Sequence, residues 1–158
     1  MGGGASRLVD ALLDEPVGSI TVMDLSEAAL CLARQRLGER AREVTWLVGD
    51  ITKVSLPAQA YDLWHDRAVF HFMTTPESRQ AYLQRLQHAL RPGGHVVMST
   101  FAEDGPERCS GLPVQRYSRQ ELMHALGPRF VLLAHERELH TTPSGAQQAF
   151  NHALLRFA

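Results

Sequence analysis

Along the 158-residue chain, short unbroken apolar runs alternate with segments whose apolar positions recur every three or four residues. The runs read as buried parallel strands, and the spaced segments as helices with one apolar face. Ser6 through Leu13 opens the series as a short helix, with Leu8, Val9, Leu12 and Leu13 on one side. "SITVMD" follows as a strand closed by Asp24, and Ser26 caps a helix from Glu27 to Leu37 that turns Leu30, Ala33 and Leu37 inward. Gly38 suits the C-terminal cap of that helix. "EVTWLVGD" is a second strand with Asp50 just past its end, and "AYDLWHD" a third, shorter one that leaves through His65 and Asp66.

Thr75 and Pro76 supply an N-cap and a first helical position for a helix reaching Leu90, whose apolar face carries Tyr82, Leu83, Leu86 and Leu90. "RPGG" stops that helix and turns into "HVVMSTF", the fourth strand. The loop from Ala102 to Tyr117 is longer than a plain connection needs, which is a sign of function or of disorder. Ser118 and Glu121 form a capping box for a helix ending at Gly127 and Pro128. "FVLLAHERELH" and "QAFNHALLRF" close the chain. The "TTPSG" between them is too short for a helical crossover, so the last two strands pair antiparallel. The expected fold is α/β: a three-layer, mostly parallel sheet with a C-terminal antiparallel hairpin, in a single domain over residues 1–158.

Composition narrows the function classes. A formal net charge of -1 argues against a general nucleic-acid binder, whose affinity comes from a basic face. Every basic residue except Lys53 is an arginine, a bias that fits genome composition better than anion recognition. Cys31 and Cys109 form no CxxC pair, so a structural disulfide is not expected and a reducing cytoplasm fits best. No apolar stretch of 18 residues and no charged-then-apolar leader is present, so no membrane span or export signal is expected. "HD" followed by His71 fits no strong zinc spacing, and no metal is expected.

Gly2-Gly3-Gly4, Asp24 at the end of the next strand, Gly49-Asp50 at the end of the one after, and Leu90-Arg91-Pro92-Gly93-Gly94 before the fourth strand occur in that order. Together with the closing antiparallel strand, the set resembles a class I S-adenosylmethionine-dependent methyltransferase of Rossmann-like fold, over essentially the whole chain. Glycines let backbone approach a ligand closely and leave amide donors at a helix N-terminus. A carboxylate at the end of a strand, as Asp24 is, can accept both hydroxyls of a ribose, and the resemblance assigns it that role. The resemblance likewise implies that Asp50 accepts from the adenine amino group while Leu25 and Ile51 sandwich the ring. Helix N-capping is the competing reading for both acids.

In such a fold "WHDRAVFHF" borders the methionine part of the cofactor and the acceptor. His65 and Asp66 are therefore candidates for the active-site wall, and His71 either faces the substrate or packs. The resemblance puts the long loop over the acceptor pocket, making Arg116 and Tyr117 substrate-side candidates, with Cys109 read as a packing residue in preference to a reactive thiol. "ELHTTP" can bring His140 to the same rim. If the acceptor carries a proton, His65 or His140 can serve as base near neutral pH. The implied cofactor is S-adenosylmethionine; the acceptor is a small molecule or a protein, and a homo-oligomer stays open.

The resemblance also implies a central strand ending in an acid directly before the glycines, with helices ahead of it. Met1 instead stands inside the glycine motif. The expectation is therefore that the natural protein continues upstream and that this form binds cofactor poorly. Two other functions compete: a degenerate methyltransferase-like module used for binding or dimerisation, and an NAD-dependent oxidoreductase. Arg7 in place of a third glycine, and the presence of "LRPGG", count against the oxidoreductase.

Overall fold

The computed structural model describes residues 1–4, 6–142 and 145–158, so Pro143 and Ser144 of the expected "TTPSG" turn lie outside the described residues. The chain forms two compact units, Met1–Val54 and Ser55–Ala158, where the sequence suggests one continuous domain.

In the first unit, α1 (Leu8–Leu13) precedes β1 (Ile20–Asp24), α2 (Glu27–Leu37), a 3-10 segment (Gly38–Glu43) and β2 (Val44–Val48). The two strands pair in parallel with Ile20 opposite Val44 and Asp24 opposite Val48, so strand, helix and strand make one βαβ turn. Ser26 caps α2 by accepting from the Ala29 amide, and Gly38 ends it at φ 57°. Val9, Val22, Leu30 and Val44 form the interior, with Leu13, Ile20, Leu37 and Trp46 against it. Leu8, expected on the apolar side of α1, is 39% exposed, because the helix begins at Leu8 rather than Ser6 and only Val9 is fully inward. The Arg36 guanidinium grips Asp10 with Nε at 3.0 Å and Nη2 at 2.7 Å, tying α2 to α1 and lowering the Asp10 carboxyl below its ordinary range.

The second unit is built on a four-stranded sheet. β3 (Tyr61–Arg67), α3 (Pro76–Ala89) and β4 (Leu90–Phe101) form a second βαβ turn; β5 (Arg108–Cys109) and β6 (Leu112–Pro113) make a small hairpin; α4 (Arg119–Leu126), β7 (Phe130–Thr141) and β8 (Gln147–Phe157) follow. The sheet order is β3-β4-β8-β7, parallel between β3 and β4 and antiparallel at β8, as the short last connection requires. α3 and α4 both start on complete capping boxes, at Thr75 with Ser78 and at Ser118 with Glu121.

Two details differ from the sequence reading. "RPGG" does not lie between helix and strand: β4 already starts at Leu90, where Tyr61 pairs with it, and pairing resumes at Leu63 with His95. Arg91 to Gly94 therefore bulge from the ladder, with Gly93 at φ 81°, and a Cβ on Gly94 would lie 2.8 Å from the Arg91 carbonyl. The long loop is not plain coil either. Its β5–β6 hairpin turns through Ser110 and Gly111 at φ 51° and 79°, the left-handed pair that a tight two-residue turn needs.

Candidate functional site

Parallel pairing brings both strand-end acids of the first unit to the same edge. Asp24 and Val48 are register partners, the Gly49 amide donates to the Asp24 carbonyl at 3.0 Å, and Asp50 follows directly. Asp24 Oδ1 accepts from the Ser26 amide at 2.8 Å, so the carboxylate steadies the capping residue while Ser26 itself caps α2. Its other oxygen faces the glycines. A Cβ on Gly4, which sits at φ 33°, would lie 3.0 Å from Asp24 Oδ2, and one on Gly3 would come within 2.3 Å of Val22 Cγ1. Gly3 also donates its amide to the Met23 carbonyl at 3.1 Å, which presses this backbone onto the end of β1. Gly2, at φ 62°, completes the turn.

Asp50 is more committed. Its Oδ1 accepts from the Thr52 amide at 2.9 Å and the Thr52 hydroxyl at 2.7 Å, and these bonds hold the carboxyl below its ordinary range. These bonds close a turn at residues 51–53 rather than cap a helix, and Oδ2 is turned toward Lys53 Nζ at 3.5 Å. Leu25 is 75% exposed while Ile51 is buried, so only Leu25 presents an open apolar face.

In the second unit, alternation along β3 separates His65 from Asp66. Asp66 belongs to the interior rather than to an active-site wall. Its Oδ2 accepts from the Tyr82 hydroxyl, which in turn accepts from Trp64 Nε1 at 3.0 Å. Its Oδ1 accepts from the amides of Val69 at 2.9 Å and Phe70 at 3.3 Å. Burial raises the Asp66 carboxyl and pushes the Tyr82 phenol well up. Directly beyond β3, Ala68 holds φ 63°, a conformation costing an L-residue on the order of 1 kcal/mol, and donates its amide to Ser99. His65, on the opposite face, is half-buried, and burial lowers its pKa so that the ring is neutral near pH 7.

His140 does not join His65. His65 is level with Val97, Val97 with Leu154, and Leu154 with Ala134, six residues before His140 on the far edge strand. Three strand spacings and six residues of rise put the two rings roughly 20 Å or more apart. His140 instead packs edge-on against Phe150. His71 is fully buried, its ring between Phe72 and Phe101, and neither nitrogen has a hydrogen-bond partner among the described residues. The 3-10 turn Phe70–Phe72 tucks it inward, and burial lowers its pKa to about 4.

Arg116 braces the loop, donating to the Gly105 carbonyl at 3.2 Å and to Glu107 at 3.4 Å. Tyr117 is buried and stacked on Phe70. Cys109 is half-buried in the hairpin, and both cysteines are free.

Two groupings escape sequence reasoning. Ser99 Oγ lies 2.7 Å from His152 Nδ1, and His152 Nε2 lies 2.8 Å from Glu138, a polar chain across three strands. Only the β4–β8–β7 register joins these residues. Arg79 of α3 and Gln120 and His124 of α4 line one cavity of about 590 Å³ with Tyr117. The pair Gln120 and His124 is a visible i, i+4 polar face, but nothing local says that Arg79 meets it.

The comparisons agree with this architecture. A solved S-adenosylmethionine-dependent methyltransferase of Methanosarcina mazei superposes with a TM-score of 0.81 at 14% identity, covering 99% of this chain and 89% of that one. The 1,6-didemethyltoxoflavin-N1-methyltransferase of Burkholderia thailandensis, solved with bound 1,6-didemethyltoxoflavin and S-adenosylhomocysteine, superposes at 0.78 with 23% identity, over 99% of this chain and 68% of that one. The fold is therefore the Rossmann-like fold of class I S-adenosylmethionine-dependent methyltransferases. The methyltransferase domain family matches residues 1–94, and the chain belongs to that family. An uncharacterized chloroplastic methyltransferase of Arabidopsis thaliana is 37% identical over 90 residues, 57% of this chain. The chain spans only 23% of that relative's length. No helix among the described residues is long and apolar enough to cross a membrane.

Proposed function

We propose that the chain transfers a methyl group from S-adenosylmethionine to a small-molecule or protein acceptor. The observation that carries this reading is the close glycine turn at Gly3 and Gly4: a side chain at Gly3 would collide with Val22 and one at Gly4 would press on the Asp24 carboxylate, so bare backbone stands beside that acid. A ribose is a natural occupant, with Asp24 accepting from its hydroxyls and backbone at Gly2 to Gly4 close enough to touch it. Leu25 offers an exposed apolar face to a purine, while Ile51 is buried. Asp50, whose Oδ2 lies 3.5 Å from Lys53 Nζ, can accept from the adenine amino group.

When bound, the cofactor supplies a sulfonium-activated methyl, and the chain's own work is to bind, orient and exclude water. His65, neutral because burial depresses its pKa, can take a proton from an oxygen or nitrogen acceptor. His71 is neutral too, but its burial removes it from proton transfer. Two free thiols suit a reducing cytoplasm.

A residue-resolved NMR titration of the chain tests the reading, because it detects weak binding as well as strong. S-adenosylhomocysteine is expected to give saturable shifts at Gly3, Gly4, Asp24 and Leu25, and NAD none. An equal response to NAD, or none to S-adenosylhomocysteine, overturns it.

A further inference from the structure

The cavity lined by Arg79, Gln115, Tyr117, Gln120, Glu121 and His124 lies wholly within the second unit, between α3 and α4. Its floor differs from its rim. Tyr117 is only 3% exposed; the Arg79 guanidinium is the hydrogen-bonding group beside its buried hydroxyl, whose own O–H meets no acceptor among the described residues. Such an orphaned donor is costly unless something completes it. Arg79 is the fixed cation beside it. Its Nη1 donates to the Met73 carbonyl at 3.1 Å, which anchors one side of a guanidinium carrying five N–H donors. The charge is near enough to Tyr117 to oppose the upward push of burial on the phenol. Gln115, Gln120 and His124 add polar groups at the exposed rim.

The remaining wall selects the kind of anion. Glu121 accepts from the Ser118 amide at 2.8 Å and the Ser118 hydroxyl at 2.7 Å, and these bonds keep it ionised. A fixed negative charge on the wall penalises a dianion more than a monoanion. A guanidinium fork matches the two in-plane oxygens of a carboxylate. At about 590 Å³ the cavity is also far larger than a bare ion and in the range of small organic ligands.

We propose that this cavity binds the carboxylate of a small organic acid, with Arg79 as its anchor and the Tyr117 hydroxyl as a second donor. Taken with the methyl-transfer reading, on which this one extension rests, the acid is the acceptor or part of it. The binding site itself does not depend on transfer.

The test is an NMR titration of the whole chain, without cofactor, using benzoate, benzamide and inorganic phosphate as probes. Benzoate is expected to shift amides of residues 115–125 and the Arg79 Nε–H saturably, with benzamide and phosphate at least tenfold weaker. Arg79→Gln is expected to weaken benzoate at least tenfold, and Tyr117→Phe, which keeps the ring on Phe70, about threefold. No saturation with benzoate, equal binding of benzamide or phosphate, or undiminished binding in Arg79→Gln overturns the proposal. If Arg79→Gln does not fold, the three probes on the unaltered chain decide alone. Benzoate binding without methyl transfer under any condition leaves the site standing and removes only the transfer reading.

Discussion

Residues 1–54 and 55–158 bury side chains in different ways. The first unit closes four small aliphatic residues over one parallel strand pair, and spends its strand ends on glycines pressed against Val22 and Asp24. The second packs Trp64, Phe70, Tyr82, Phe101 and Tyr117 against four strands and runs a buried polar chain from Trp64 through Tyr82 to Asp66. A two-stranded pair with two helices gains little from burial, whereas a four-stranded sheet with an aromatic interior gains much. The contrast teaches where each kind of residue is useful. Backbone that must meet a ligand needs small side chains around it, and stability then has to come from elsewhere.

Breaking the second unit should give the largest effect. Asp66→Ala strands the Tyr82 hydroxyl and the amides of Val69 and Phe70, each at about 1–3 kcal/mol. Denaturant unfolding is expected to show a loss of about 4 kcal/mol, felt by hydrogen exchange in β3 and β4. A change below about 1 kcal/mol would mean that the buried chain does not hold the fold.

A pH series sharpens the same point. Unfolded His71 titrates near 6.5 and folded His71 near about 4, so between these values the unfolded chain binds the extra proton. Stability from this group is whole above pH 6.5 and falls as the pH drops toward 4, by about 3 kcal/mol. His71→Leu keeps the packing between Phe72 and Phe101 and should flatten that slope relative to the unaltered chain. An unchanged slope would contradict the buried, unbonded ring.

The smallest stability effect belongs to the first unit. Gly4→Ala places a methyl 3.0 Å from Asp24 Oδ2 at φ 33°, at a cost of about 1 kcal/mol. The same change should weaken S-adenosylhomocysteine about tenfold by displacing the carboxylate. Full affinity in Gly4→Ala would show that the glycines are not pressed on the ligand.

Elements with local signals were legible in the sequence. The capping boxes at Thr75 and Ser118, the strands ending at Asp24 and before Asp50, and the antiparallel closing pair follow from side-chain chemistry within a few residues. The glycine turn against the end of β1, at Gly3, Gly4 and Asp24, was legible because backbone chemistry alone builds it. It was not legible where strand register decides. Period-two alternation puts Asp66 on the opposite face from His65, yet only the distant Tyr82 makes that face the interior. Sheet order, invisible locally, carries His140 away from His65 and brings Ser99 to His152.

The most direct test of the glycine turn is the affinity of the chain for S-adenosylhomocysteine before and after Asp24→Ala, followed at the Gly3 and Gly4 amides. Loss of two charge-assisted hydrogen bonds should weaken binding about a hundredfold and abolish the glycine shifts. Equal affinity in the two proteins, with the same glycine shifts, would contradict the placement of the nucleoside at Asp24.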